Sequence, residues 1–185
     1  MALVLIKEDG TGRPDANSYA NAADADAYHE AHLYAAPWKA ASAANKEMAL
    51  VMATRLIDCS YQFSGFKSVD AQSLQWPRRK CPDPDRDDSF ARPLSLDSGR
   101  YLASNQVPRA VVDATCEMAR EVLIGDRSAA PAGEGIASTW TSTQGIRYSK
   151  TDSRPVVCQL AHSMLSKYGT LLTKTNRAVR LIPVR

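Results

Sequence analysis

Helical patterning occurs in four stretches of the chain, and β-type patterning in one. The clearest helix runs from Ser42 to Tyr61. Ala49, Leu50, Met52, Ala53, Leu56 and Ile57 fall on one face of a 3.6-residue repeat, and Lys46, Glu47, Arg55 and Asp58 largely on the other. Upstream, Asn21-Ala22-Ala23-Asp24 reads as a helix start. Asn21 can accept from a free backbone N–H, and Asp24 suits the positive field of the first turn. That helix is expected to run to about His32, with Pro37 and Trp38 marking the loop after it. Pro108 opens a third helix, where its missing N–H costs nothing. Its buried stripe is Val111, Val112, Ala114, Thr115, Met118, Ala119, Val122 and Leu123, and Gly125 is expected to stop it in a left-handed cap. Pro155 begins a fourth, from Val156 to about Tyr168, with Val157, Leu160, Ala161, Met164 and Leu165 inward and Gly169 at its end.

The remaining segments read differently. Met1 to Ile6 is a short apolar run that suits an edge strand, and residues 9–15 form a glycine- and proline-rich turn without the spacing of a phosphate-binding loop. Residues 62–106 are irregular, because Pro77, Pro82, Pro84 and Pro93 exclude a long helix. A loop of that length is uncommon in a compact domain. Its anchor is Leu74-Gln75-Trp76-Pro77-Arg78, where a tryptophan beside a proline is expected to plug the loop into a core. Small residues from Ala129 to Gly135 lead into Ile136 to Lys150, whose composition predicts a hairpin, with Gln144-Gly145 as a turn or bulge. Residues 170–185 mix apolar and basic positions with no cap and no helical stripe, the pattern of an arm that orders on a partner. The predicted fold is mainly α: a small bundle of about four helices with a β-hairpin insertion near 136–150, spanning 1–169, and an extended C-terminal arm, 170–185.

Composition narrows the class. The chain has 185 residues, 44% hydrophobic and 23% charged, close to globular averages. No stretch approaches the ~20 apolar residues of a membrane span, and the first apolar run is too short for a secretory signal. A soluble protein made in the cytosol, with no membrane partner, is the expectation. The four cysteines, Cys59, Cys81, Cys116 and Cys158, show no CxxC or CxH spacing, so neither a zinc ribbon nor a disulfide framework is expected. Net charge is only +3, but residues 147–185 hold eight basic residues and one acidic, leaving −4 for the rest. A basic segment on an acidic body suits docking onto an acidic surface or phosphate, and equally a solvated basic face.

Catalytic constellations are wanting. His29 and His32 lie one turn apart near Asp26 without a third metal ligand, and a solvated polar face is the expectation for them. Ser64-Gly65 is no nucleophile elbow. Asp83, Asp85 and Asp87 alternate as in a calcium loop, but Asp88 and Leu94 stand where that loop needs glycine and glutamate. No enzyme, metal or cofactor is expected. Trp140 and Tyr148 on the predicted hairpin, with Arg147 and Lys150 beside them, offer a stacking platform for single strands. Arg78, Arg79 and Lys80 form a basic cluster whose field the following aspartates are expected to cancel.

Four features in order carry a resemblance. They are Asn17-Ser18-Tyr19 leading into Ala22-Ala23-Asp24-Ala25-Asp26-Ala27-Tyr28; Trp38 ahead of 46–54 and Leu56-Ile57-Asp58; Leu74-Gln75-Trp76-Pro77-Arg78; and Val107-Pro108 opening a helix that ends Ala119-Arg120-Glu121-Val122-Leu123. The chain resembles the head-tail adaptor (head-completion or connector) proteins of tailed bacteriophages, and an overlapping family of DnaT-like single-stranded-DNA-binding proteins. The resemblance is strong over 17–125 and does not account for 80–105. The adaptor resemblance implies a homo-oligomeric ring, of twelve copies, under a dodecameric portal protein in the virion neck, made in the host cytoplasm. Such a ring extends the channel for double-stranded DNA, helps retain packaged DNA and presents a surface for tail or nozzle proteins. It implies that Arg177, Arg180, Leu181, Ile182 and Arg185 dock on the portal. Trp76 is then the loop anchor, and Arg78 makes a buried or inter-subunit hydrogen bond. The DnaT-like resemblance implies a replication-type protein using Trp140, Arg147, Tyr148 and Lys150.

Overall fold

A computed structural model describes residues 3–85, 101–129, 138–140, 145–147 and 155–172. Among them are five helices and three two-stranded antiparallel sheets, a mixed, helix-rich fold rather than a plain helical bundle. Helix α1 (Ala22–Glu30) begins in a capping box: the Asn21 side chain accepts from the Asp24 N–H and the Asp24 carboxylate accepts from the Asn21 N–H. It ends two residues before the expected His32. The Pro37-Trp38 segment is no loop. It forms a short helix, α2 (Ala36–Ala40), because a proline in the first turn starts a helix as readily as it ends one.

Helix α3 (Ala43–Ser60), capped by Ser42, is the predicted core helix; of its six apolar positions only Met52 is not fully buried. Helix α4 (Arg109–Ile124) packs against all four other helices and is the centre of the fold. Pro108 stands at its N-cap. Gly125 has φ 176°, extended backbone open to any residue, so the expected left-handed cap is absent. Helix α5 (Gln159–Leu165), with Cys158 at its N-cap, starts later than the expected Val156 and ends before Tyr168, and Leu160 is exposed, not inward. Val157, Ala161 and Leu165 are buried as predicted, and so are Cys116 and Cys158.

Short strands close the base of the core. Strand β1 (Tyr61–Phe63) continues directly from α3 and pairs with β6 (Gly169–Leu171). Gly169 is required there, since a Cβ would lie 2.6 Å from the Gln62 carbonyl oxygen. Thr170 and Leu171, assigned by sequence to the arm, are therefore paired into the body, and the Leu172 N–H donates to the Ser60 carbonyl at 2.7 Å. Strands β2 (Phe66–Lys67) and β3 (Arg78–Arg79) pair across the 62–106 region, and β4 (Ser138–Trp140) pairs with β5 (Gly145–Arg147) as the predicted hairpin. Gly145, expected in a turn or bulge, opens β5 opposite Trp140. Of the expected first strand, Met1 to Ile6, the described residues 3–6 form none, and the nearest pairing is a bridge, Lys7 to Ser18. The unexplained 80–105 stretch leaves and returns at one place: Pro82 bridges Tyr101, and the Leu102 N–H donates to the Cys81 carbonyl at 2.9 Å.

Candidate functional site

The segment 74–79 is where sequence and structure concentrate. The Trp76–Pro77 peptide is cis. Trp76 is wholly buried, with edge-on contacts to Phe63 and Tyr168 at 5.6 and 6.0 Å between ring centroids. The backbone around it is held from three sides. The Tyr19 hydroxyl accepts from the N–H groups of Gln75 and Trp76 (3.1 and 3.2 Å) and donates to Asp58 Oδ1 at 2.5 Å. Asp58 Oδ2 accepts from the Gln75 N–H at 3.0 Å. Gln72 Nε2 donates to the carbonyls of Leu74 and Pro77 at 2.8 and 3.1 Å.

Arg78 is the third support. Its Nε donates to the Ser64 carbonyl at 2.7 Å. One terminal nitrogen donates to the Gln75 carbonyl and Oε1 at 3.0 and 3.1 Å, and the other to the carbonyls of Phe63 and Gly65 at 3.2 and 2.7 Å. A guanidinium has five N–H donors, and these hydrogen bonds, all within the chain, engage them. Such a side chain fastens a loop; it has no donor left to offer.

Burial pushes the Asp58 carboxyl up to about 6, against the opposing pull of the Tyr19 hydroxyl and the Gln75 N–H. Burial also raises the Tyr19 hydroxyl well above its ordinary range, and the Asp58 charge adds to it. Sequence reading placed Asp58 on the polar face of α3 and gave Tyr19 no role. Their meeting with each other and with the Gln75 N–H is a long-range fact, visible only in three dimensions.

His29 and His32 depart from the expected solvated face. His29 is fully buried, with Nε2 3.1 Å from the Cys116 carbonyl, and burial lowers its pKa, which favours the neutral ring. His32 Nε2 lies 3.5 Å from Glu117 Oε2, and the Glu117 carboxylate, buried in the middle of α4, accepts from Arg120 at 2.5 Å. This cluster joins α1 to α4. No group of three metal-ligating side chains occurs among the described residues.

The predicted hairpin platform is described at its strands. Ser138 pairs with Arg147 and Trp140 with Gly145. Positions paired across strands, and positions two apart along one, share a face, so 140 and 147 are same-face positions. Tyr148 and Lys150 lie outside the described residues, as do Arg177, Arg180, Leu181, Ile182 and Arg185.

What these residues define is a helix-rich scaffold around a tightly fastened Trp-Pro-Arg loop. A family model described as "Putative DnaT-like ssDNA binding protein" matches residues 1–180, and the chain belongs to that family. The match carries the DnaT-like part of the resemblance and not the adaptor part. No curated protein and no solved structure matches the chain.

Proposed function

We propose that the chain binds single-stranded DNA. Membership of the DnaT-like family over nearly its whole length carries the reading. The β4–β5 hairpin supports it, since Trp140 and Arg147 occupy positions on one face of a short ladder. A base stacks on an aromatic ring without regard to sequence, and neighbouring cations track the backbone. Tyr148 and Lys150 extend the same chemistry along the chain. Fluorescence anisotropy of a labelled oligothymidylate tests the reading. Binding that weakens steeply between low and high salt is expected, and Trp140→Ala lowers it at every salt concentration. No binding at low salt overturns the proposal.

A second reading, the ring-forming head-tail adaptor bound to a portal, draws on a different observation. Large apolar side chains stand exposed on several separate elements: Leu33 and Tyr34 between α1 and α2, Met48 on α3, Ile124 on α4 and Leu160 on α5. A closed ring needs two different contact faces on each subunit, and apolar exposure on many sides suits that demand. Portal docking would fall to the segment holding Arg177, Arg180, Leu181, Ile182 and Arg185. Co-sedimentation with portal rings, imaged by electron microscopy, tests it: decorated rings support the adaptor, and bare portals beside folded protein remove it.

A further inference from the structure

Two consecutive arginines of β3 have opposite fates. Arg78 turns inward and is 4% exposed, with its five donors engaged. Strand alternation then sends Arg79 outward, and it is exposed. Its cross-strand partner is Phe66, which is 63% exposed, a high value for a phenylalanine held in a ladder. Paired positions stand about 5 Å apart at Cβ and share a face, so ring and guanidinium form one surface. Lys80 follows, exposed, with φ +56°. That left-handed turn is fitted against Gly65 (φ +73°), where a Cβ would come within 2.4 Å of the Arg79 carbonyl oxygen and 2.8 Å of the Lys80 carbonyl carbon. The loop puts Arg79 opposite the uncovered Phe66 ring, with Lys80 the next exposed residue along.

The two cations are uncommitted. Among the described residues neither the Arg79 nor the Lys80 side chain has a hydrogen bond or ion pair. Of the four aspartates expected to cancel their field, the Asp85 carboxylate lies 3.7 Å from Lys167 Nζ; Asp83 keeps its charge while accepting from the Asp85 N–H at 3.0 Å, and Asp87 and Asp88 lie outside the described residues. Of the other charges on the hairpin, Lys67 donates to the Gln72 carbonyl, and Asp70 is exposed in the turn beyond Val69.

We infer that the β2–β3 hairpin is a second contact for single-stranded DNA, in which Phe66 stacks on a base and Arg79 and Lys80 take the flanking phosphates. The inference rests on the proposed DNA-binding function and places part of it on a scaffold fixed by Trp76 and Arg78. The chemistry is that of a stacking platform with a cationic border.

The test uses the full chain and an oligothymidylate. Phe66→Ala is expected to weaken binding at least about fivefold at all salt concentrations. The double variant Arg79→Gln, Lys80→Gln is expected to reduce the salt dependence by about 1.4 in slope, roughly 0.7 for each phosphate no longer neutralised. The indole introduced by Phe66→Trp should retain affinity and be quenched on binding. Circular dichroism verifies the fold of each variant. If the wild type binds and these variants match it in affinity and salt slope, with no added quenching, the hairpin contact is overturned while DNA binding stands. If the wild type itself does not bind at low salt, both are overturned.

Discussion

At the scale of the residue, Arg78 shows what a planar fork achieves that a point charge does not. It satisfies carbonyls from Phe63, Ser64, Gly65 and Gln75 at once. Arg78→Lys keeps the charge and loses the fork; three donors then face five acceptors, leaving at least one backbone carbonyl and Gln75 Oε1 unserved at about 1–3 kcal/mol each. A fall of about 3 kcal/mol in unfolding free energy, read from urea titrations, is expected. Asp58 gives a pH-dependent counterpart. Its folded-state pKa of about 6 stands above its ordinary 3.8, so the folded state binds the proton more tightly. Its stabilising contribution is whole below about pH 4 and is lost as pH rises to about 6. Asp58→Asn should remove that decline, so the difference in urea midpoint between variant and wild type grows in the variant's favour from about pH 4 to 6. His29 works in the other sense. Its lowered pKa gives a contribution present above its ordinary 6.5 and lost as pH falls below it. The legibility of such residues followed their range of interaction. The Asn21–Asp24 capping box could be read from neighbours, whereas buried His29 and Glu117 sit in helices whose local pattern gives no reason to bury them.

At the scale of the element, short-range chemistry was the readable part. The α3 stripe and the β4–β5 hairpin follow from spacing and composition alone. What failed was punctuation by proline and glycine. Pro37 starts α2, Pro155 precedes α5 by four residues, and Gly125 ends α4 without left-handed geometry. Each has two lawful uses, and tertiary packing decides between them. The β1–β6 pairing had no local signal at all, since three-residue strands are too short to show alternation. Gly65 is the sharpest test of an element built on close approach. Gly65→Ala combines positive φ with a clash against backbone atoms of Arg79 and Lys80 that have little room to give. It should cost more than about 1 kcal/mol in thermal or urea unfolding, and it should weaken oligonucleotide binding if the hairpin surface is used.

At the scale of the whole molecule, the division between body and tail moves. A cut before Thr170 would strip β6 from β1, whereas one after Leu172 spares the ladder. Deleting 170–185 is expected to lower the unfolding midpoint below that of the 173–185 deletion, because only the longer cut breaks the β1–β6 ladder. The shorter deletion also removes Lys174, Arg177, Arg180 and Arg185. A DNA-binding role for them would appear as a reduced salt slope, and an adaptor role as failure to attach to the portal. The basic residues of 173–185 and the Trp140–Arg147 platform were read from composition, whereas the Phe66–Arg79 pair was not, because it exists only once β2 meets β3. Which carboxylates face the cations was not legible either, because Lys167 and Asp85 meet only through the fold.

The cysteines bear on how that question can be approached. Cys81, Cys116 and Cys158 are buried, and burial raises all three thiols, Cys116 to about 12. Cys59 alone is exposed. A maleimide dye should therefore attach to the native chain at one position without any engineering. That position adjoins Ser60, whose carbonyl accepts from the N–H of Leu172, the residue before the basic 173–185 segment. The unaltered protein thus offers its own reporter two residues in sequence from Tyr61 and close to the last described residue, Leu172, and a shift in emission on adding DNA or portal would reveal which of them meets this end of the chain.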